Sequence, residues 1–355
     1  MRVGSLRAKA GLAALALAGV VPAVAGTGVA AANPALCGMV VTQNTTLTSD
    51  VGPCSSTGII LGADNIVLDL GGHRVFAFNE IGDEGAGILA RNRTGVTIRN
   101  GIVEFFDAGV VIEGGSGNLV HSITARNNIG NAFTDYGDGI VLFSSSRNRI
   151  FGNVADHNGP YDGIGVVANS DDNVIEGNLV INNTIINSRS HGGSEGTMED
   201  DGIRIESFGP NATPDRNVVR GNRVLNNGLD GIAVFPNARD NQIIGNTVHG
   251  NGFLGNVRRG DGIHLFGFAR TNLVQGNDVR NNARHGIRID ATPTFPPPNL
   301  QNRILANTVL NNGLDPGEFE DGYDLSDGNR FCDGNIWMNN VFNTADPVTG
   351  ADCYG

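Results

Sequence analysis

The sequence predicts an all-β solenoid of about ten coils, each coil giving one short strand to each of three parallel sheets. Three observations predict it. A Gly followed by an apolar residue opens a run of alternating hydrophobics at Gly58, Gly87, Gly109, Gly139, Gly163, Gly202, Gly231, Gly262, Gly286 and Gly322, at intervals of 22 to 39 residues. A second signature, Asn-x-apolar-x-Gly-Asn, follows the middle and later copies, as in Asn148 to Asn153, Asn173 to Asn178, Asn217 to Asn222 and Asn241 to Asn246. Beyond residue 32 no stretch sustains apolar residues at a spacing of 3.6, and Gly and Asn interrupt every run. A sub-motif repeated at loosely constant spacing means stacked units with insertions at their corners.

The elements follow in chain order. Residues 1–32 read as a secretory signal: Arg2, Arg7 and Lys9 precede an apolar stretch from Ala10 to Ala25, and Ala30 to Ala32 offer a small-residue cleavage site. That apolar run is short for a spanning helix, and no later segment reaches ~18 uninterrupted apolar residues. Residues 33–355 read as one solenoid domain. Each unit opens with a Gly-apolar strand, best seen in Asp138-Gly139-Ile140-Val141-Leu142, Asp201-Gly202-Ile203-Arg204-Ile205 and Asp321-Gly322-Tyr323-Asp324-Leu325. The Asn-x-apolar strand comes second. A third strand carries one inward residue (Val180, Val224, Val248, Val279 or Val309) before a closing Asn. Three such strands in one short unit have no partners within it, so each pairs with its equivalent in the next coil. Equivalent residues then lie about 4.8 Å apart, and ten coils span roughly 48 Å. Stacked in register, Asn153, Asn178, Asn222, Asn246, Asn277 and Asn307 form a ladder of amides that both donate and accept. The repeated Gly and Asn also suit corners that need positive φ.

The four cysteines fall as two local pairs at the two ends. With ten coils between them, Cys37–Cys54 and Cys332–Cys353 is the pairing that fits, closing terminal coils whose core would otherwise meet water. Past residue 32 the chain keeps 21 of 24 basic residues and all 36 acidic ones, a net charge of −15. Such a surface repels nucleic acid and anionic lipid. Lys9 is the only lysine, so mechanisms that need a lysine base or Schiff base are excluded.

These residues resemble the right-handed parallel β-helix proteins, which include pectin- and alginate-modifying enzymes and a periplasmic accessory protein of nitrous oxide reductase. Cys37-Gly38, Leu47 to Cys54, and Asn65-Ile66-Val67-Leu68-Asp69-Leu70-Gly71-Gly72-His73 look like the opening coil of secreted bacterial members. The resemblance spans residues 33–355, and it rests on core and corner residues. It implies the fold and leaves activity to be argued from sites.

Sites are expected where the repeats differ. In the Gly-apolar strands the two apolar residues face inward. The first outward row then reads Val141, Gly165, Arg204, Ala233, His264, Arg288, Asp324, and the second Phe143, Val167, Glu206, Phe235, Phe266, Asp290, Ser326. From the sixth coil on, Arg204, Glu206, His264, Arg288 and Asp290 gather beside Phe235 and Phe266. Long insertions border the same face: Asn183 to Asp201, Ser207 to Arg216, Asn251 to Asp261, Ala291 to Gln301 and Asn312 to Asp321. Loops on both borders of a sheet make a trough. A trough with exposed aromatics and charged groups suits a linear polysaccharide, and a monomer is expected to serve.

For lyase or uronate epimerase chemistry on an acidic glycan, Arg204 and Arg288 manage charge, His264 transfers the proton, and Glu206 or Asp290 orients or holds a cation such as Ca²⁺. His285 is a second imidazole for proton exchange, and Glu199 and Asp200 are candidate cation ligands. Asp201 recurs as Asp138, Asp162, Asp230 and Asp261, which makes it a corner residue. An inverting glycosidase built on Asp200-Asp201 and His285-Gly286 is rejected, because three coil steps separate those motifs. Copper needs soft or imidazole ligands, and the seven histidines are scattered. A non-catalytic glycan-binding or structural surface protein is the alternative.

Overall fold

A computed structural model of the chain describes residues 32–78, 85–130, 137–184, 200–207, 209, 211–253, 260–291, 300–316, 321–329, 332, 334–347 and 353–354. Among these, regular structure is strand apart from one 3-10 turn, Pro34–Leu36. Eleven strands stack into one sheet in chain order: Met39–Val41, Ile59–Leu61, Ala86–Arg91, Ala108–Glu113, Ile140–Phe143, Ile164–Val167, Ile203–Glu206, Ile232–Val234, Ile263–Leu265, Ile287–Ile289 and Leu325–Asp327. Every pairing is parallel and joins one coil to the next, as Ile203↔Ile232 and Ile263↔Ile287 show. Two further stacks run alongside it. One passes through Arg149–Phe151, Val174–Glu176 and Val218–Arg220, the other through Val154–Asp156, Leu179–Ile181 and Arg223–Leu225. In the early coils they merge into the continuous strands Thr97–Glu104 and Leu119–Arg126. The fold is a parallel β-helix.

The core is the inward row of each sheet. Ile140, Ile164, Ile203, Ile232, Ile263, Ile287 and Leu325 are all fully buried, within one continuous cluster that runs from Val41 to Tyr354. Each such side chain contributes about 1.5–3 kcal/mol by leaving water. The glycine that precedes each of these isoleucines has a steric reason. A Cβ at Gly202 would lie 2.3 Å from Val224 Cγ1 and 2.6 Å from the Gly231 carbonyl oxygen. The positive φ expected at corners belongs to other residues, such as Gly177 (φ 61°) and Asn226 (φ 55°).

The asparagine ladder is present, and two more run beside it. Asn178 N donates to Asn222 Oδ1 (2.9 Å), Asn222 N to Asn246 Oδ1 (2.9 Å) and Asn246 N to Asn277 Oδ1 (2.8 Å). Each amide also reaches back to a carbonyl, as Asn222 Nδ2 donates to Ile175 O at 2.9 Å. The parallel ladders run through Asn148, Asn173 and Asn217, and through Asn183, Asn227 and Asn251. Corners buried from water thus have their backbone groups paired by side chains.

The disulfides are Cys37–Cys54 and Cys332–Cys353, with Cα–Cα distances of 5.5 and 5.7 Å, and no cysteine is free. At the last coil Trp337 Nε1 and Asn335 Nδ2 donate to Asp327 Oδ2, and Tyr354 packs edge-on to Trp337. Among the described residues no helix is long and apolar enough to cross a membrane.

The final coil corrects the sequence register by two residues. Arg288 pairs with Ser326, so Ser326 and not Asp324 ends the first outward row. Ile287 N donates to Asp324 O, just as Ile263 N donates to Gly286 O, which puts Asp324 in the glycine position. The slip has a hydrogen-bonding cause. Asp324 is buried and accepts from Asn312 N and Nδ2 and from Asn343 N and Thr344 N. Gly322 is left in a turn against Gly313.

Candidate functional site

On the outer side of the eleven-stranded sheet, lateral pairing lines up Val111, Val141, Gly165, Arg204, Ala233, His264, Arg288 and Ser326. Its early part is apolar: Val111, Val141 and Val167 form a second buried cluster with Ala86, Ala108 and Ala168, packed by Leu89 and Phe143. Its later part is charged. Small residues, Gly165 and Ala233, flank Arg204 in this row.

The aspartate before each glycine builds one wall. Asp138 Oδ1 accepts from Asp162 N (3.4 Å), Asp201 Oδ1 from Asp230 N (2.8 Å), Asp230 Oδ1 from Asp261 N (2.6 Å) and Asp261 Oδ1 from His285 N (2.8 Å). This is the corner role that their recurrence implies. The second oxygens of Asp201, Asp230 and Asp261 turn toward the cations of the central row.

Arg204 is wholly buried. Its guanidinium lies 4.0 Å from Asp162 Oδ2, 3.6 Å from Asp201 Oδ2 and 3.3 Å from Glu206 Oε1, and 3.8 Å above the ring of Phe235. His264 is 5 % exposed; its Nδ1 is 2.8 Å from Asp230 Oδ2 and 3.7 Å from Asp261 Oδ2, and its Nε2 is 3.2 Å from Asp290 Oδ1. Arg288 reaches Asp261 Oδ2 at 3.4 Å and Asp290 Oδ1 at 2.7 Å. Phe266 stacks on His264 at 3.8 Å and on Phe235 at 4.4 Å.

Two expectations are corrected by this packing. The outward row is not open to solvent at Arg204 and His264, because the pleat chooses a side of the sheet and the packed carboxylates and rings then cover it. Phe235 and Phe266 are half-buried in a stack and not freely exposed. Glu199 lies outside the described residues, as do parts of all five bordering insertions. Asp200 is buried away from the aspartate wall, against Gly228, where an added Cβ would come within 2.8 Å of it.

The charges move the titrations. Burial lowers the affinity of His264 for a proton, but the charges and hydrogen bonds of Asp230 and Asp290 outweigh it and raise its pKa to about 10. The ring is a cation at neutral pH. Burial pushes Asp290 up, and His264 and Arg288 pull it below its ordinary value. Burial raises Asp138 to about 7, against the pull of Asp162 N–H and Arg204. His285 moves the other way, to about 3, through burial and the nearby charges of Arg284 and Arg288.

Beyond this network lies a groove of about 330 Å³, whose polar lining is Arg284, His285, Arg288, Asp290, Asp321, Tyr323, Ser326 and Asp346. The His285 ring is neutral there. Its Nδ1 accepts from Tyr323 N at 3.1 Å, so the ring proton sits on Nε2. Arg204, His264, Arg288, Asp290, Glu206, Phe235 and Phe266 are thus brought together on one face. Tyr323 and Arg284 were not legible as groove residues, whereas Ser326 was placed on this face one row away. The one available signal was the departure of the last repeat, with Tyr323 where Ile stands elsewhere.

Asp230, Asp261 and His264 place one donor atom each within 4.8 Å of one another.

Residues 185–354 match the family profile "Right handed beta helix region". No curated protein sequence matches the chain. Among solved structures, the A-module of mannuronan C-5 epimerase AlgE6 from Azotobacter vinelandii superposes with a TM-score of 0.55 at 17% identity, over 88% of this chain and 79% of that one. Pectate lyase Pel9A gives a TM-score of 0.51 at 12% identity over 88% and 80% of the two chains. The Dettilon tailspike protein gp208 gives 0.51 at 15% identity over 88% and 59%. At these identities the likeness is one of fold, a right-handed parallel β-helix. Residues 38–260 match the profile "Periplasmic copper-binding protein (NosD)", and the chain belongs to that family.

Proposed function

We propose that the protein is exported, residues 1–32 serving as its signal, and that the solenoid of residues 33–355 binds a carboxylate-bearing polysaccharide along the late coils of its eleven-stranded sheet. The observation that carries this reading is the groove in which Arg284 and Arg288 stand beside a neutral His285. The two guanidiniums offer donors to a uronate carboxylate beside Asp290, Asp321 and Asp346 of the same groove, and the Nε2–H of His285 supplies a further directional donor. The stacked rings of Phe235 and Phe266 lie along the same face as a platform for a sugar ring. Two disulfides without a free thiol support export to an oxidising compartment. The fold shared with a mannuronan epimerase and a pectate lyase supports a glycan partner.

The groove also favours a second reading, a lyase or epimerase. Such chemistry needs an acid or base beside a neutralised carboxylate. Tyr323, whose pKa burial and Asp321 raise, stands near His285 and Arg288 and is a protonated donor at neutral pH. In that reading Arg288 neutralises the carboxylate, and Arg204, His264 and Asp290 hold the field around it. His264 does not accept a proton at neutral pH, because its ring already carries two.

The family is described as copper-binding, and the donor set on this face does not fit copper. Copper prefers several imidazoles or soft sulfur ligands. Here one imidazole meets two carboxylates, and both its nitrogens already face carboxylate oxygens. All four cysteines are in disulfides.

The test is retention of the protein on alginate, pectin, hyaluronan and heparin, with and without Ca²⁺, which can bridge an acidic protein to an acidic polymer. Unsaturated-uronate absorbance is followed in parallel. Binding that Arg288→Ala and Arg284→Ala weaken supports the reading. Binding unaffected by both variants, or none to any acidic glycan, ends it. Product formation that Tyr323→Phe abolishes selects the enzyme over the binding protein.

A further inference from the structure

We infer that the buried charged cluster on the eleven-stranded sheet is a metal-free counterpart of a cation site. The side chains of Arg204, His264 and Arg288 stand where a divalent ion would otherwise balance the aspartate wall, and they close it to copper and calcium. The inference goes beyond the glycan reading and does not depend on it.

The geometry is consistent from coil to coil. Each aspartate of the wall gives one oxygen to the backbone of the next coil. That oxygen is committed, because losing it would orphan a buried N–H at a cost that a surface carboxylate does not face. The remaining oxygens face fixed cations. Asp201 Oδ2 and Glu206 Oε1 meet Arg204, Asp230 Oδ2 meets His264 Nδ1, and Asp261 Oδ2 is shared by His264 and Arg288. On the far border Asp290 Oδ1 is divided between His264 Nε2 and Arg288.

A divalent ion entering the triad of Asp230, Asp261 and His264 would have to displace the proton on Nδ1. It would also sit beside the Arg288 guanidinium, in a region where water does not screen the repulsion. Calcium needs six to eight oxygen ligands. The triad offers it two carboxylates, each with one oxygen already used. Buried carboxylates do need partners. The chain supplies them from the central row, with Ala233 between Arg204 and His264, and Arg288 directly beside His264.

The inference predicts how the site responds when a built-in cation is removed. In Arg204→Ser the carboxylates of Asp162, Asp201 and Glu206 lose their guanidinium, and the variant should become dependent on a divalent ion. Its melting temperature should fall without metal and recover with millimolar Ca²⁺, while wild type shows no shift with Ca²⁺ or stoichiometric Cu²⁺. His264→Ser is the second variant, and should show the same response through Asp230, Asp261 and Asp290. Metal content of the full chain after dialysis against Cu²⁺ or Ca²⁺, compared with Asp230→Asn and Asp261→Asn, is the measurement that reads wild type directly. Metal taken up equally by wild type and both Asn variants lies elsewhere and leaves the inference standing. One equivalent bound by wild type and lost in either Asn variant overturns it. So does a folded Arg204→Ser or His264→Ser protein that gains no response to either ion.

Discussion

His264 and Arg204 illustrate what a residue's position on a strand does and does not reveal. Alternation along Ile203-Arg204-Ile205 and Ile263-His264-Leu265 gives the side of the sheet on which each polar side chain lies, and lateral pairing aligns the two. Their burial came in large part from partners on neighbouring coils, Asp162 and Phe235 for Arg204 and Asp230 and Asp290 for His264, and with it came their chemistry. The folded pKa of His264, about 10, exceeds its ordinary 6.5. Its stabilising contribution is therefore complete below pH 6.5 and declines as pH rises from there through 10. His264→Asn should flatten the loss of stability between pH 7.5 and 10, measured by urea melts. Asp138, raised to about 7, gives a loss of the same sign centred below that window. His285, held neutral down to about 3, works in the opposite direction. Its folded state is full strength above pH 6.5 and weakens on acidification, so His285→Gln should resist acid unfolding better than wild type. Arg204→Ala should destabilise by about 3–5 kcal/mol, the cost of breaking a buried ion pair from one side.

At the scale of the element, the repeats were readable because two physical constraints recur with each coil. One is the asparagine ladder. Asn222→Ala removes an acceptor from Asn178 N and a donor from Ile175 O, and should cost roughly 3 kcal/mol by chemical denaturation, since each orphaned buried group costs ~1–3 kcal/mol. The other constraint is the glycine, which serves two purposes that composition does not separate. Gly177, at φ 61° with nothing within 4 Å of an added Cβ, should accept Asn with a loss below about 1 kcal/mol. Gly202→Ala should cost more than that, because its Cβ would overlap Val224 and the Gly231 carbonyl. The last repeat was misread by two residues for a related reason. Asp321-Gly322 looks like the other Asp-Gly corners, but four hydrogen bonds to the Asp324 carboxylate outweigh the motif.

Across the whole molecule, stability is distributed coil by coil, and the ends are its weak points. The disulfides close loops with sequence separations of 17 and 21 residues, a constraint on the unfolded chain of about 3 kcal/mol each. Replacing Cys332 and Cys353 by Ser should expose the final strands Leu325–Asp327 and Ile336–Met338 to hydrogen exchange before Ile203–Glu206, measured by mass spectrometry. The charge distribution makes a second molecular-scale prediction. The chain carries a net charge of −12, so on the proposed reading an acidic glycan would depend on the local guanidiniums of Arg284 and Arg288 against the field of the whole. Retention on alginate should weaken as ionic strength rises toward the level at which the Debye length falls to about 3 Å, near 1 M salt. Salt-independent retention would point to the aromatic platform instead of Arg284 and Arg288.

Stacking, strand order, the asparagine ladder and the cysteine pairs were determined by sequence alone. The first three are patterns repeated from coil to coil, and the cysteine pairs are local in sequence at the two ends of the stack. The tertiary structure decided the rest: that Arg204 and His264 are buried counter-ions, that Asp290 is shared between two cations, and that Tyr323 and Arg284 border the groove. Those outcomes depend on single contacts across two or three coils. No periodicity records them, because the energies that settle them, desolvation against ion pairing, arise only once the coils have packed.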